Sequence, residues 1–140
     1  MIFVDSNVLI DVIEVDPVWE TWSSGQVESA SLSQQLAVNE IVIAEVAPRS
    51  DSLAHFLASL TTMRISIEPI SVEAAYLAGT AFQAYRQRKL DRAAKSILAD
   101  FLIGGHAQLL GATVLTRDPR FYRSYFPMVP LITPTSSEHD

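Results

Sequence analysis

The feature that most constrains this chain is an alternation. Short apolar segments rich in β-branched residues (2–4, 35–38, 64–67, 113–116 and 129–132) are separated by longer stretches with helical spacing. After the first segment, Val8, Leu9, Val12 and Ile13 mark one helical face. The polar stretch 19–33 reads as helical, with Pro17 opening it at its first turn. Asn39 is placed to cap a helix over 40–47 that Pro48 ends, and 51–60 reads as a further helix. Ser71 is placed to cap a helix reaching about residue 88. A strongly apolar helix spans 95–110 and stops at Gly111, and Asp118-Pro119 starts a short one through residue 122. Strands alternating with helices predict an α/β fold, a three-layer α/β/α sandwich with a mainly parallel central sheet. At 140 residues this is one domain, 1–132, followed by a polar tail over 133–140.

Composition narrows the chemistry. The absence of cysteine removes disulfides, thiolate metal sites and a cysteine nucleophile. The sequence starts without the charged and apolar regions of a signal peptide, and no apolar run approaches the roughly 20 residues that span a bilayer. A soluble, cytoplasmic protein with no membrane partner is expected. The net charge of −6 is unevenly spread. No Lys or Arg precedes Arg49, whereas Arg86, Arg88, Lys89, Arg92, Lys95, Arg117, Arg120 and Arg123 outnumber the acids between residues 85 and 123. This asymmetry suggests a basic face for phosphates, the alternative for 86–95 being a solvated helix surface.

Four carboxylates stand out. Asp5 directly follows the first strand and Asp118 lies two residues beyond the 113–116 strand, so parallel strands bring both to one sheet edge, where α/β folds bind ligands. Each has an alternative reading as a helix cap. Asp100 and Glu45 interrupt the apolar runs 97–103 and 41–46, where an unpaired carboxylate would be costly to bury. Ser96 and Gly104 share the face of Asp100 and, being small, leave room for a ligand. Carboxylates held together raise one another's pKa unless a cation neutralises them, and an all-oxygen set selects Mg²⁺ or Mn²⁺. Ser6, Asn7 and Thr116 are candidates to position the waters of such an ion.

The segments Val4-Asp5-Ser6-Asn7-Val8-Leu9, Asn39-Glu40-Ile41-Val42-Ile43-Ala44-Glu45-Val46, Ile97-Leu98-Ala99-Asp100-Phe101-Leu102-Ile103-Gly104-Gly105-His106-Ala107 and Leu115-Thr116-Arg117-Asp118 together resemble the PIN-domain nucleases. More narrowly, they resemble the VapC-type toxins of prokaryotic toxin–antitoxin pairs. The resemblance covers nearly the whole chain, including Tyr125-Phe126-Pro127. It implies that Asp5, Glu45, Asp100 and Asp118 are the catalytic and metal-binding acids, with Thr116 as a supporting hydroxyl. It further implies a parallel sheet between helices, Mg²⁺- or Mn²⁺-dependent cleavage of structured RNA, a homodimer, and inhibition by a VapB-type antitoxin. Glu40 departs from the pattern, in which relatives often carry Pro, and is a candidate to tune metal or antitoxin contacts.

The RNA-gripping cations are expected to be Arg86, Arg88, Lys89, Arg92, Lys95, Arg117 and Arg120. His106 lies six residues past Asp100 and off its helical face, so it is read as structural, at a subunit contact. Trp19, Trp22, Tyr76, Phe82 and Tyr85 are read as core or dimer residues. Two rival functions remain at this level. One is a catalytically silent PIN domain that binds RNA or protein. The other is a phosphoryl-transfer α/β domain using Asp5, against which stand Asn7, where haloacid-dehalogenase-like phosphatases carry a second Asp, and the lack of any lysine after Lys95.

Overall fold

Three residues, Ile2–Val4, form the centre of the molecule as strand β1. They are almost wholly inaccessible to solvent, as a purely apolar strand must be when both faces of its sheet are covered. The computed structural model describes residues 1–88 and 98–135. Around β1 stand β2 (Leu36–Val38), β3 (Ile65–Ile67), β4 (Thr113–Leu115) and β5 (Leu131–Ile132), in the order β3-β2-β1-β4-β5. Every pairing is parallel, with Phe3 opposite Ala37 on one side and Val114 on the other. The predicted α/β fold with a parallel sheet is therefore what the chain adopts.

The helices are α1 (Ser6–Ile13), α2 (Glu20–Ser31), α3 (Glu40–Val46), α4 (Leu53–Thr62), α5 (Val72–Arg88), α6 (Leu98–Leu110) and α7 (Pro119–Tyr125). From β1 the chain steps to β2 and β3 on one side, then returns past β1 to β4 and β5. The two sets of crossovers thus run in opposite directions, and the right-handed rule for parallel connections assigns α1–α4 and α5–α7 to opposite faces. The reversal leaves a crevice at the carboxyl end of β1, between β2 and β4.

Several boundaries differ from expectation for local reasons. Asp16 Oδ1 accepts from the N–H groups of Val18 and Trp19, so Pro17 sits in a turn and α2 begins only at Glu20. Ser52 caps α4 by accepting from His55 N–H, which delays that helix from residue 51 to Leu53. Arg64 has φ of 60° and turns the chain instead of extending β3. Pro48 lies within a short 3₁₀ turn that continues α3. Val129 donates to Phe126 O in a turn and so falls outside β5. Gly111, at φ +66°, ends α6 as predicted. Residues 95–97 of the predicted apolar helix lie outside the described residues.

Phe101 of α6 is the hub of an aromatic cluster, with ring centroids of Phe82, Tyr85, Phe121, Tyr125 and Phe126 5.0–5.7 Å away. These contacts extend α7 to Tyr125, one residue short of Phe126. Gly104 belongs to this packing: a Cβ there would stand 2.4 Å from Cδ2 of Phe126. The space at Gly104 holds an aromatic ring and not a ligand, which corrects the reading of it as room beside Asp100. Trp19 and Trp22 meet edge to face. Tyr76, by contrast, is exposed and no part of the core.

His106 is structural, but it lies inside its own chain and not at a subunit contact. It is 1% exposed, edge-on to Phe3, with Nδ1 3.1 Å from Nδ2 of Asn39. Asn39 Oδ1 accepts from the N–H groups of Ile41 and Val42 at the start of α3. Its amide nitrogen therefore points at the imidazole as donor, and His106 Nδ1 accepts. Burial holds the imidazole pKa below its usual value, consistent with a neutral ring.

Candidate metal centre

The crevice at the end of β1 opens into a cavity of about 420 Å³ lined by Asp5, Ser6, Asn7, Ile10, Glu45, Asp100, Asp118, Phe121 and Tyr122. Four separate elements deliver its four acids. Asp5 follows β1, Glu45 comes from α3, Asp100 from the first turn of the described part of α6, and Asp118 from the turn after β4. Parallel register sets the two strand-end acids side by side, because Val4 pairs with Leu115 and Asp5 N–H donates to Leu115 O.

Asp5 forms the floor. It is 7% exposed, and both carboxylate oxygens are engaged. Oδ1 accepts from Ser6 N–H at 2.8 Å, and Oδ2 accepts from the hydroxyls of Thr116 at 2.8 Å and Tyr122 at 2.9 Å. Asp5 is thus a helix cap and a cavity residue at once. Burial pushes its carboxyl pKa up to about 6, against the three hydrogen bonds that pull it down, and the nearby charge of Asp100 adds to the rise. Burial, together with the charges of Asp5, Asp100 and Glu45, holds the Tyr122 phenol well above its usual value, so its hydroxyl stays a donor.

The other acids stand higher on the wall. Glu45 and Asp118 are exposed and Asp100 is partly buried. Asp118 occupies the cap position of α7 but makes no side-chain capping bond, leaving the cap reading without support there. Ser6 Oγ donates to Glu45 Oε1, tying α1 to α3. Thr116 is fully buried and accepts from Asp118 N–H at 3.1 Å and from Asn7 Nδ2 at 3.3 Å while donating to Asp5. Asn7 Oδ1 accepts from Arg117 N–H. Ser6, Asn7 and Thr116 therefore hold protein groups to one another around the cavity, which Ser6 and Asn7 also line.

Two residues read from the sequence as ligand contacts have other partners. Arg117 places Nε 2.8 Å from Oδ2 and Nη2 2.9 Å from Oδ1 of Asp11, which is fully buried and also accepts from Ser23 Oγ. Its guanidinium lies over Trp19, 5.3 Å from the ring centroid. These bonds pair its charge with that of the buried Asp11. Glu40 accepts from Ile70 N–H and lines a neighbouring depression with Ile41, Ala44, Leu98 and Leu102, which shares Glu45 with the four-acid cavity. Arg86 and Arg120 are exposed, Arg86 over the Phe82 ring. Lys89, Arg92 and Lys95 lie outside the described residues.

Sequence reasoning missed Tyr122 and Asp11. Tyr122 sits four residues after Asp118 on a helix the sequence did predict, one turn along the same face, and that spacing was the available signal. Among the described residues, no three acidic or imidazole groups already converge tightly enough to enclose an ion. The donor set nevertheless fits a hard cation: all ligating atoms are oxygens, and mutual repulsion is already visible at Asp5. Mg²⁺ is held through one or two direct carboxylates and several waters, so it needs no tighter cage.

Comparison with known proteins agrees with this geometry. A family model described as "PIN domain" matches residues 2–127. No protein of curated function matches the sequence. Similar solved structures include VapBC2 from Rickettsia felis bound to a DNA fragment from their promoter, at TM-score 0.74 and 20% identity, covering 96% of this chain and 100% of that one. A toxin–antitoxin complex from Klebsiella pneumoniae gives TM-score 0.69 at 20% identity, covering 96% and 98%. DNA-bound VapBC from Salmonella typhimurium gives 0.62 at 20% identity, covering 94% and 96%. At these identities the likeness concerns the fold. The family match spans most of the chain, and the chain belongs to the PIN-domain family.

Proposed function

We propose that this PIN domain is a Mg²⁺- or Mn²⁺-dependent endoribonuclease and the toxin of a VapBC-type toxin–antitoxin pair. The observation that carries the reading is the convergence of Asp5, Glu45, Asp100 and Asp118, from four elements, on one cavity at the switch point of the sheet. A divalent cation bound there supplies an acidified water and neutralises charge on a phosphodiester. Asp5, fixed by three hydrogen bonds, offers a preset anchor at the floor. Glu45, Asp100 and Asp118 give the wall acceptors for water, and the Asp118 backbone is pinned through Thr116. Exposed Arg86 and Arg120 are candidate contacts for flanking phosphates, with Arg88, Lys89, Arg92 and Lys95 named from sequence alone. Structured RNA is the substrate class, and a VapB-type antitoxin and a second copy of the chain are the partners. This assignment draws on the three solved complexes named above, each of which contains VapBC or a toxin–antitoxin pair. A cytoplasmic setting goes with it; among the described residues no helix is long and apolar enough to cross a membrane.

The test is cleavage of transfer and ribosomal RNA by the purified chain with Mg²⁺ or Mn²⁺. Asp5→Ala and Asp100→Ala should each reduce cutting by at least about a hundredfold with circular dichroism unchanged, as expected when a cation anchor is lost. Full activity in EDTA, or undiminished cutting by either variant, would refute it. RNA binding without cutting would favour a catalytically silent module.

A further inference from the structure

We infer that Tyr122 sets the cation selectivity of this site by restricting Asp5 to a single donor oxygen. The inference rests on the metal reading above and follows from a count of lone pairs. Thr116 Oγ accepts from Asp118 N–H and Asn7 Nδ2, so its one hydrogen is directed to Asp5 Oδ2. Tyr122 donates its only hydrogen to the same oxygen. A carboxylate oxygen has two lone-pair sites, and both of those on Oδ2 are filled. Oδ1 has one filled by Ser6 N–H and one left. Asp5 therefore presents one lone pair, on one oxygen, to anything in the cavity. Tyr122 is 2% exposed and lines that cavity, and its hydroxyl fills a lone pair of Oδ2 that a cation in the cavity could otherwise use.

Coordination number makes this consequential. Mg²⁺ demands near-octahedral geometry and takes carboxylates through one oxygen, whereas Ca²⁺ takes six to eight oxygens and readily binds carboxylates through both. A floor carboxylate limited to Oδ1 suits the smaller ion and withholds a ligand from the larger. Tyr122 is thus a positioning residue whose hydroxyl, present in Tyr and missing in Phe, tunes which ion the acids accept.

Calorimetric titration of the EDTA-treated full chain with MgCl₂ and, separately, with CaCl₂ tests this. In Tyr122→Phe, Mg²⁺ should bind roughly tenfold more weakly, the usual effect of removing a partner that orients a metal ligand. Ca²⁺ should bind as well as before or better, so the ratio of the two dissociation constants moves toward Ca²⁺ by about tenfold or more. Thr116→Val, which removes the other donor to Oδ2, should move the ratio in the same direction and serves if the phenylalanine variant does not fold. A general loss of structure would weaken both ions together. Variants that fold by circular dichroism yet keep the wild-type ratio overturn the inference. Wild-type protein that binds neither ion overturns instead the metal reading on which it rests.

Discussion

Asp5→Asn should stabilise the metal-free protein near neutral pH, and by an amount that depends on pH in a calculable way. The folded-state carboxyl titrates at about 6, against 3.8 for its ordinary value. At about 1.4 kcal/mol per pKa unit, this rise amounts to about 3 kcal/mol. Because the folded-state pKa is raised, the folded protein holds this proton more tightly than the unfolded chain does. The contribution to stability is fully present below pH 3.8 and is lost as pH rises through 6. Asparagine does not titrate, so wild-type stability minus variant stability should fall by about 3 kcal/mol across that window, roughly half of it between pH 5 and pH 7.5. The amide is an imperfect replacement. With its oxygen accepting from Ser6 N–H, its nitrogen faces two hydroxyls that now donate to Oδ2, a loss of about 1 kcal/mol. Asp5→Asn should therefore exceed wild type by about 2 kcal/mol at pH 7.5 in EDTA. Urea denaturation followed by circular dichroism from pH 4.5 to 8 measures both curves. Added Mg²⁺ should reverse the order, stabilising wild type and leaving the variant unmoved. Parallel curves across this pH range would refute the reasoning, since they would mean that Asp5 titrates alike in the folded and unfolded chain.

Two further expectations concern stability alone. Arg117→Met leaves Asp11 buried with only Ser23 as partner and should cost about 2–4 kcal/mol by urea denaturation; adding Asp11→Leu should restore much of this. If the single variant is as stable as wild type, the pair is not the clamp its geometry indicates. Gly104→Ala drives a methyl against the Phe126 ring and should destabilise by about 1–3 kcal/mol. Gly25→Ala, with nothing within 4 Å of the added carbon, should gain about 0.5–1 kcal/mol by the same urea denaturation.

The parallel sheet was legible because its two central strands, β1 and β2, are purely apolar and are followed directly by the helix-capping Asp5 and Asn39. The acidic cavity was legible because two of its members follow strands and topology brings strand ends together. An apolar helical setting does not by itself distinguish Asp100 and Glu45 from a structural carboxylate. Asp11 interrupts the apolar run of α1 in just the same way, yet it is a buried structural carboxylate matched by Arg117 across more than a hundred residues. An apolar setting shows that a carboxylate needs a partner without showing whether the partner is a cation from solvent or from the chain. Glu45 is in fact exposed, so burial was not its reason for being there. Gly104 was misread, and the pairing of Arg117 was not foreseen, for a related cause. Their partners, Phe126 and Asp11, lie on other elements, and a sequence shows a residue without showing what packs against it.

The central position of β1 bears on when the acidic cavity can exist. During synthesis Asp5 leaves the ribosome early, but its neighbour across the crevice, Asp118, arrives 113 positions later, and β1 has no β4 to pair with until then. At roughly 5–20 residues per second, that interval is about 6–23 s. Throughout it the nascent chain lacks the fourth acid and the strand that positions it. The strand that is made first is completed almost last, and a ribosome-bound fragment cannot assemble the four-acid cavity beside the RNA of the machine that makes it.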